Sequence, residues 1–263
     1  MSQQKSPPGH HWVPTEDGSH TLFSEQFQEA CHSTFGAREE TLLHYVQGCQ
    51  VSEKLRLGPR FCLLEVGFGL GIGFLTTYET LRLSETPWHF LSLEIDEHLM
   101  EWFREENREH EFLKNLQWKN ESGYKILEAR DGKNKLTVLV GNARETLPQY
   151  TRNHTVKWNA IYQDAFSPKK NPILWTKEWF EFLKTNSTED VTLSTYSSSS
   201  SIRKSLIQSG WSLHKGEKFG PKRTSTRASL KGESDPEILL HLSRSPIEAL
   251  SDDNIQEYLK GSK

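Results

Sequence analysis

The residues with the clearest chemical potential form a glycine-rich turn, Glu65-Val66-Gly67-Phe68-Gly69-Leu70-Gly71-Ile72-Gly73. Glycines at alternating positions let the backbone bend sharply and approach a ligand closely, which a Cβ atom would prevent. A dinucleotide site requires a third glycine where Ile72 stands when the count starts at Gly67, so the NAD fingerprint fails in this register. A tight turn without a ligand is one interpretation. The other is a site for a different ligand, with these contacts: Glu65, Gly67, Phe68, Gly69 and Gly71.

Two further predicted strand ends carry groups suited to a nucleoside. Glu94 ends an apolar run 23 residues after Gly71, near the offset expected of a carboxylate that accepts hydrogen bonds from both ribose hydroxyls. Asp96 competes for this role, but a helix N-cap explains it better. The next strand ends at Asn142 and Ala143, which are predicted to contact the adenine. This combination is the arrangement found in class I methyltransferases that use S-adenosylmethionine (SAM).

A fourth strand end supplies a candidate catalytic group. Residues 158–162 predict a short strand that ends at Asp164. Ligands of doubly wound sheets lie beyond the carboxyl ends of the strands, so Asp164 is predicted to face the methyl group of SAM. A carboxylate suits methylation of an amine, because it orients the nitrogen and receives its proton, while Phe166 packs against a flat base. From spacing alone, a turn-forming role for Asp164 before Pro168 is the alternative.

Short apolar runs that alternate with helical patterns must position these residues. The alternation predicts an α/β fold with a doubly wound, mostly parallel, seven-stranded sheet, which is the Rossmann-like class I methyltransferase fold. Asp131-Gly132 predicts a tight hairpin between residues 124–127 and 136–140. The other predicted elements are strands at 61–66, 90–95 and 191–196, helices from about 72, 97, 176 and 202, and a closing hairpin of 211–215 with 225–230.

Three zones divide the chain of 263 residues. Residues 1–58 are predicted to be an N-terminal extension packed on the core, 59–232 the methyltransferase domain, and 233–263 a polar, helical tail. The apolar runs are far shorter than the roughly 18 residues that span a bilayer, and the first ten residues do not resemble a secretory signal, so we expect a cytoplasmic protein that does not enter membranes. The cysteines lack any Cys-x-x-Cys spacing, and we expect no metal site.

Charge is distributed unevenly along the chain. The formal net charge is -3, but residues 157–232 contain 13 Lys and Arg against 6 Asp and Glu. Such asymmetry suits a localised face that binds phosphates. Segregation of charge on a solvated surface is the alternative interpretation.

At these residues the sequence resembles the methyltransferase half of MnmC, a bacterial family that modifies the wobble uridine of tRNA, and its stand-alone relatives. The string Asp-Ala-Phe-Ser-Pro-x-x-Asn-Pro-x-x-Trp, which starts at Asp164, is the most specific part. The resemblance covers roughly residues 22–230. Besides the turn at 65–73 and residues 92–94, it includes segments 23–27, 36–41, 195–198, 202–204 and 218–223. Asn142 departs from the family, which often has Asp there.

The resemblance implies methylation of 5-aminomethyl(-2-thio)uridine to its methylaminomethyl form, with Asp164 as the catalytic carboxylate and SAM as the methyl donor. It implies no FAD, because the chain ends too soon for the oxidoreductase domain of full-length MnmC. Another enzyme is then expected to supply the aminomethyl intermediate. The implied tRNA-facing or substrate-binding residues are Phe166, Pro168, Lys169, Lys170, Trp175, Arg203, Lys204, Phe219, Lys222 and Arg223.

Two other functions are consistent with the same motifs. The acidic net charge is compatible with a methyltransferase or aminopropyltransferase that acts on a small amine. The departure at Asn142 is compatible with a catalytically silent protein that binds SAM or RNA. Steep weakening of tRNA binding by salt distinguishes the first prediction from the small-molecule alternative.

Overall fold

Nine strands form one mixed sheet in the computed structural model, which describes residues 6–15, 20–31, 36–218 and 224–261. The strands of the described residues are β1 His10–Pro14, β2 His20–Ser24, β3 Glu29–Ala30, β4 Phe61–Val66, β5 Trp88–Glu94, β6 Gln117–Glu121, β7 Tyr124–Asp131, β8 Asn134–Val140, β9 Trp158–Gln163, β10 Ser187–Thr195, β11 Ser212–Lys215 and β12 Thr226–Ser229. Strands β1 to β3 form a separate antiparallel sheet.

Helices connect these strands. They are α1 Ala37–Thr41, α2 Val51–Lys54, α3 Ile72–Leu81, α4 Glu97–Glu106, α5 Ala143–Asn153, α6 Lys177–Thr185, α7 Ser200–Gln208, α8 Pro236–Arg244 and α9 Ile255–Gly261. A π-helical turn, Leu42–Gln47, continues α1, and short 3-10 turns occur at Leu113–Asn115, Pro172–Leu174 and Asp252–Asn254. Among the described residues, no helix combines the length and the apolar character needed to cross a bilayer.

The order of the main sheet is β11-β12-β10-β9-β4-β5-β8-β7-β6. The five central strands, from β10 to β8, are parallel, and the flanking strands are antiparallel. The predicted doubly wound α/β fold is thus confirmed, and so is the hairpin of β7 and β8. The sheet has nine strands rather than seven. Strands β7 and β6 extend one edge beyond β8, and β6 is a mostly exposed, polar strand without the apolar residues that sequence patterns detect.

Each face of the sheet has its own core. Strand β4 is buried at all six positions, as expected for a parallel strand covered on both sides. Alternate residues such as Leu63 and Phe90 pack with Phe74 of α3 and Phe103 of α4. Their neighbours pack on the other face against α5, α6, α7 and α8. Helices cover both faces of the parallel strands. The loops that can bind a ligand therefore lie at the carboxyl ends of these strands.

The N-terminal residues share the first of these cores. Leu22 of β2 is fully buried, and Trp12 of β1 packs edge-on against Trp102 of α4 at 5.9 Å between ring centroids. The tail is also packed: Leu250 is fully buried, and its carbonyl accepts hydrogen bonds from the Lys177 amide and the Ser205 hydroxyl. Both end segments therefore contribute to the stability of the sheet domain.

Candidate active site

The candidate site lies where the strand order reverses beside β4. Strand β5 lies on one side of β4 and β9 on the other, so the loops after β4 and β9 diverge and leave a crevice. A cavity of ≈ 300 Å³ opens there. Of the predicted site residues, it is lined by Gly67, Gly69, Glu94, Asp164 and Phe166.

The glycine turn forms one wall of the cavity. Gly67 has a φ of 98°, and a Cβ atom there would lie 2.7 Å from the Asp164 carbonyl oxygen. The amides of Gly67 and Phe68 donate to the Leu93 carbonyl, and the Gly69 amide donates to the Glu94 carboxylate. The turn therefore offers a ligand a flat backbone surface, while these amides hold the turn itself.

Two members of the turn serve packing. Phe68 is 1% exposed and meets Phe103 edge-on at 4.8 Å between centroids. A Cβ atom on Gly71 would lie 2.3 Å from the Phe103 ring, so glycine at this position lets α3 approach α4. Neither residue is among those that line the cavity.

Glu94 lies at the carboxyl end of β5 with its side chain in the cavity. One carboxylate oxygen accepts from the Gly69 amide at 2.9 Å, and the other accepts from the amides of Ile95 and Asp96 at 2.8 and 3.0 Å. Burial raises the pKa of Glu94, while these three hydrogen bonds oppose the rise. Asp96 caps α4, as predicted, by accepting from the His98 and Leu99 amides, and it also lines the cavity.

Glu65 has a different environment. Its carboxyl group is 2% exposed, accepts a hydrogen bond from the Ser92 hydroxyl at 2.6 Å, and lies beneath α3, where a Cβ atom on Gly73 would overlap it. Burial raises the pKa of Glu65 well above its usual range. Glu65 is absent from the described cavity lining.

Asn142 and Ala143 lie at the start of α5 rather than in the lining of the cavity. The Asn142 side chain caps the helix by accepting from the Arg144 amide at 3.1 Å and donates to Glu145 at 2.9 Å. Ala143 is 8% exposed and packs in the second core. The helix cap explains the Asn142 side chain without a ligand.

Asp164 is half-buried at the end of β9, next to the glycine turn. The Tyr45 hydroxyl donates to its Oδ1 at 2.5 Å, and the Asp164 amide donates to the Val66 carbonyl. Tyr45 is 3% exposed, and burial followed by the charge of Asp164 raises its pKa well above the usual range, so the phenol stays a donor. Tyr45 therefore orients the carboxylate within the cavity.

The π-helical turn brings Tyr45 to this position. The His44 carbonyl accepts from the Ser194 hydroxyl of β10 at 2.5 Å, which fixes the turn on the sheet. Glycine at position 48 lets the backbone pass close to the His44 carbonyl, because a Cβ atom there would overlap this carbonyl. Such π-helical turns are rare and often occur at functional sites.

The loop after Asp164 is held by hydrogen bonds from several directions. The Ser167 amide donates to the Glu29 carboxylate at 2.9 Å, and the Tyr196 hydroxyl donates to the Ala165 carbonyl at 2.9 Å. Trp175 is fully buried, and its indole N–H donates to the Phe166 carbonyl at 2.8 Å. Trp175 therefore shapes the loop from beneath, while Phe166 faces the cavity.

Negative charge dominates the cavity. Five carboxylate side chains line it, and its described lining includes no Lys or Arg. The half-buried thiol of Cys31 is affected by this negative charge. Burial raises its pKa to about 12, together with the charges of nearby carboxylates, which are Glu94, Asp96, Asp164 and Glu29. A cationic ligand is therefore favoured over an anionic one. The five carboxylates are Glu29, Glu40, Glu94, Asp96 and Asp164.

Comparison with known proteins identifies the family of the chain. Residues 104–231 match the protein-family model described as S-adenosyl-L-methionine-dependent methyltransferase. The chain is 32% identical over 216 residues to the tRNA 5-methylaminomethyl-2-thiouridine biosynthesis bifunctional protein MnmC of Leptospira interrogans, covering 77% of this chain and 33% of that protein. The MnmC protein of Burkholderia thailandensis is 30% identical over 235 residues, covering 84% and 34%.

A solved structure extends the similarity to almost the whole chain. The crystal structure of MNMC2 from Aquifex aeolicus matches with a TM-score of 0.72 and 27% identity, covering 97% of this chain and 81% of that one. The chain is a relative of the MnmC proteins. It spans about one third of the length of the bifunctional MnmC proteins and matches their methyltransferase part. A spermidine synthase, at a TM-score of 0.52 and 13% identity, shares the fold alone.

The cavity of this MnmC relative fits the SAM that its family uses. Gly67 and Gly69 both have positive φ and give the cavity a wall without side chains, where a Cβ atom would narrow it. Glu94 supplies carboxylate oxygens for hydroxyl donors. The surplus of carboxylates suits a molecule that carries a sulfonium and an ammonium group.

The predicted tRNA-facing residues lie in different surroundings. Lys169 and Lys170 are exposed in the loop after Asp164. Arg203 is 8% exposed and donates to the Thr226 hydroxyl, while Lys204 donates to the Ser245 carbonyl, so both tie α7 to its neighbours. Pro168 is buried. The predictions for Phe219, Lys222 and Arg223 concern positions outside the described residues.

Sequence reasoning assigned no site role to several residues that face the cavity. Tyr45, Phe27 and Glu29 come from the N-terminal segment, and Tyr196 follows β10. Phe27 and Tyr196 lie inside segments that carry the family resemblance, which was the available signal. Tyr45 lies 119 residues from Asp164 in sequence, and no local pattern links the two.

Proposed function

We propose that this protein uses SAM to methylate the 5-aminomethyl group of a tRNA wobble uridine, giving the methylaminomethyl form, with or without the 2-thio group. The observation that carries the proposal is that Glu94 and Asp164 line one cavity beside Gly67 and Gly69. The MnmC relatives are named for the biosynthesis of 5-methylaminomethyl-2-thiouridine in tRNA, which supplies the substrate class.

SAM would bind with its ribose at Glu94 and would lie along the backbone of the glycine turn. When bound, it would supply an electrophilic methyl group on a sulfonium. Gly67 holds the two halves of the site together, because its Cα lies against the backbone of Asp164. No role for a metal or FAD is proposed in this step. Asn142 and Ala143 stay candidates for the adenine end, and Glu65 supports the turn from below.

Asp164 acts on the amine. An alkylamine is mostly protonated at neutral pH, and the negative charge of the cavity carboxylates stabilises this ammonium form. Asp164 would then accept a proton from the nitrogen, directly or through water, which would free the lone pair. The nitrogen would bond to the methyl carbon as the carbon–sulfur bond of the sulfonium breaks, and S-adenosylhomocysteine would leave as a neutral thioether. Tyr45 keeps the carboxylate pointed into the cavity during this step.

The proposed reaction needs a substrate that already carries the aminomethyl group, so an upstream activity must supply it. A tRNA substrate also implies a cytoplasmic location, in line with the sequence-based expectation. The exposed Lys169 and Lys170 would contact phosphates near the anticodon and supply affinity rather than base identity.

Labelled methyl transfer to tRNA bearing the aminomethyl group tests the proposal. We expect label to enter this tRNA, and Asp164→Ala to lose transfer by roughly 100-fold or more while SAM binding, measured by calorimetry, persists. Asp253→Ala, which changes an exposed carboxylate in a 3-10 turn, is the control. No label with wild-type protein, on tRNA that a known MnmC methylates, would refute the assignment; full activity of Asp164→Ala would remove Asp164 from the mechanism.

A further inference from the structure

A pair of stacked phenylalanine rings borders the cavity beside Asp164. The Phe27 ring, from the turn between β2 and β3, stacks on Phe166 with 4.4 Å between centroids and 19° between planes. Both rings are half-buried and both line the cavity. The pair is therefore partly open to a ligand, unlike the buried aromatic residues of the core.

The pair is fixed from two directions. On the N-terminal side, the Phe27 amide donates to the Ser24 hydroxyl. Two residues after Phe27, the Glu29 carboxylate accepts from the Ser167 amide. On the other side, the Phe166 carbonyl accepts from the buried Trp175 indole. Because both backbones are held, the rings present a surface of fixed orientation to the cavity.

The surroundings of the pair specify what it can bind. Elsewhere the cavity is strongly acidic, with carboxylates that attract an amine or a sulfonium. An aromatic face also attracts a cationic amine, but it gains more by stacking on a planar base. A ligand that satisfies both features carries a cationic amine on a planar ring.

We propose that Phe27 is a nucleobase-binding residue that, together with Phe166, forms an aromatic wall packed against the target pyrimidine while the aminomethyl group reaches Asp164. This inference rests on the proposed function and adds to it that the N-terminal segment supplies part of the substrate site. Phe27 acts on substrate affinity and orientation, and proton transfer remains with Asp164.

The test replaces the ring at Phe27 and separates stacking from simple apolar contact. Phe27→Leu keeps bulk but loses the flat face, whereas Phe27→Tyr keeps the face. Phe23→Leu is the matched control, because Phe23 lies in the same hairpin, contacts His11 at 5.0 Å and is not among the cavity residues. The probe is an anticodon stem-loop RNA with aminomethyluridine at the wobble position.

We expect Phe27→Leu to weaken binding of this probe and to raise its KM by about 5- to 150-fold, the range of one lost base–aromatic stack. Phe27→Tyr and Phe23→Leu should stay within about threefold of wild type. SAM affinity, measured separately, should be nearly unchanged in all three. The same RNA with unmodified uridine should bind with a smaller difference between wild type and Phe27→Leu, because its base lacks the amine that anchors it.

Equal probe binding by wild type and Phe27→Leu would overturn the inference, and so would equal losses in Phe27→Leu and Phe23→Leu, which would indicate a general effect on the hairpin. These outcomes are separable from failure of the proposed function. If wild-type protein transfers no methyl group to the aminomethyl RNA, the function itself fails; if it does so and Phe27→Leu matches it, the aromatic wall alone fails.

Discussion

Glu65 and Glu94 show how similar residues acquire different roles from their surroundings. Glu65 lies within β4 and Glu94 ends β5, and burial raises the pKa of both. Glu94 projects into the cavity and is held by three backbone amides, whereas Glu65 points under α3 and meets Ser92. The sequence assigned both to the cofactor. Glu94 lines the cavity and stays a predicted SAM contact, whereas Glu65 is not among the lining residues.

Isosteric substitutions distinguish these positions. Glu94→Gln removes acceptors for hydroxyl donors and for the Gly69 amide, and we expect it to weaken SAM binding about 10- to 150-fold, the value of one or two hydrogen bonds to a charged group. Glu65→Gln should change SAM affinity by less than about threefold. Isothermal titration calorimetry measures both, and a loss in Glu65→Gln equal to that in Glu94→Gln would contradict the assignment.

The raised pKa of Glu65 also predicts a pH effect on stability. In the unfolded chain Glu65 ionises near its usual pKa of about 4.5, whereas in the folded protein burial keeps it protonated to much higher pH. Its contribution to stability is therefore full below that value and declines as the pH rises. A Gln side chain does not ionise, so the free energy of unfolding of Glu65→Gln carries no such pH-dependent loss. Relative to wild type, its stability should improve between pH 5 and pH 8.

Urea unfolding at the two pH values measures this difference. Other titrating groups are common to both proteins and cancel in the comparison. Ser92→Ala provides a second probe, because removing the hydroxyl takes away a donor to the ionised form and should leave the sign unchanged. An identical pH dependence in wild type and Glu65→Gln would show that Glu65 is not protonated in the fold.

The element that joins the two halves of the site is the glycine turn. Gly67 brings the end of β4 against the end of β9, so the turn proposed to bind SAM and the proposed catalytic carboxylate share one backbone contact. The π-helical turn then adds Tyr45 from the opposite side. The site is thus assembled from three segments that are distant in sequence.

Gly67→Ala should damage the fold more than a positive φ alone explains. Gly67 has a φ of 98° and a Cβ contact of 2.7 Å with Asp164, whereas Gly123, with a φ of 90°, has nothing within 4 Å of a Cβ atom. Gly123→Ala therefore carries only the backbone cost of about 1–2 kcal/mol, and Gly67→Ala adds about 1–3 kcal/mol of overpacking. Equal free energies of unfolding for the two variants would contradict this close approach.

At the scale of the molecule, sequence patterns predicted the features that depend on where strands end. The glycine turn, Glu94 and Asp164 each come after or at the end of an apolar run, and parallel strands bring such ends to one edge. Contacts that depend on tertiary packing were not predictable. Tyr45 reaches Asp164 only through the π-helical turn, and Arg203 reads as a surface cation although the packing of α7 on β12 buries it.

Charge also acts at this scale, because the proposed function requires a polyanionic tRNA to approach an acidic cavity. Lys169 and Lys170 are exposed in the loop beside the cavity, while Lys133 is exposed in the β7–β8 turn at the opposite end of the parallel strands. The double variant Lys169→Glu, Lys170→Glu should weaken tRNA binding and reduce the magnitude of the slope of log K against log salt by about 1.4–1.8, since each of the two phosphate contacts contributes about 0.7–0.9. Lys133→Glu should leave the slope unchanged, and SAM binding should be the same in all variants. If Lys133→Glu and the double variant reduce the slope equally, tRNA binding responds to the total charge of the protein. The two lysines beside the cavity would then have no specific role in tRNA binding.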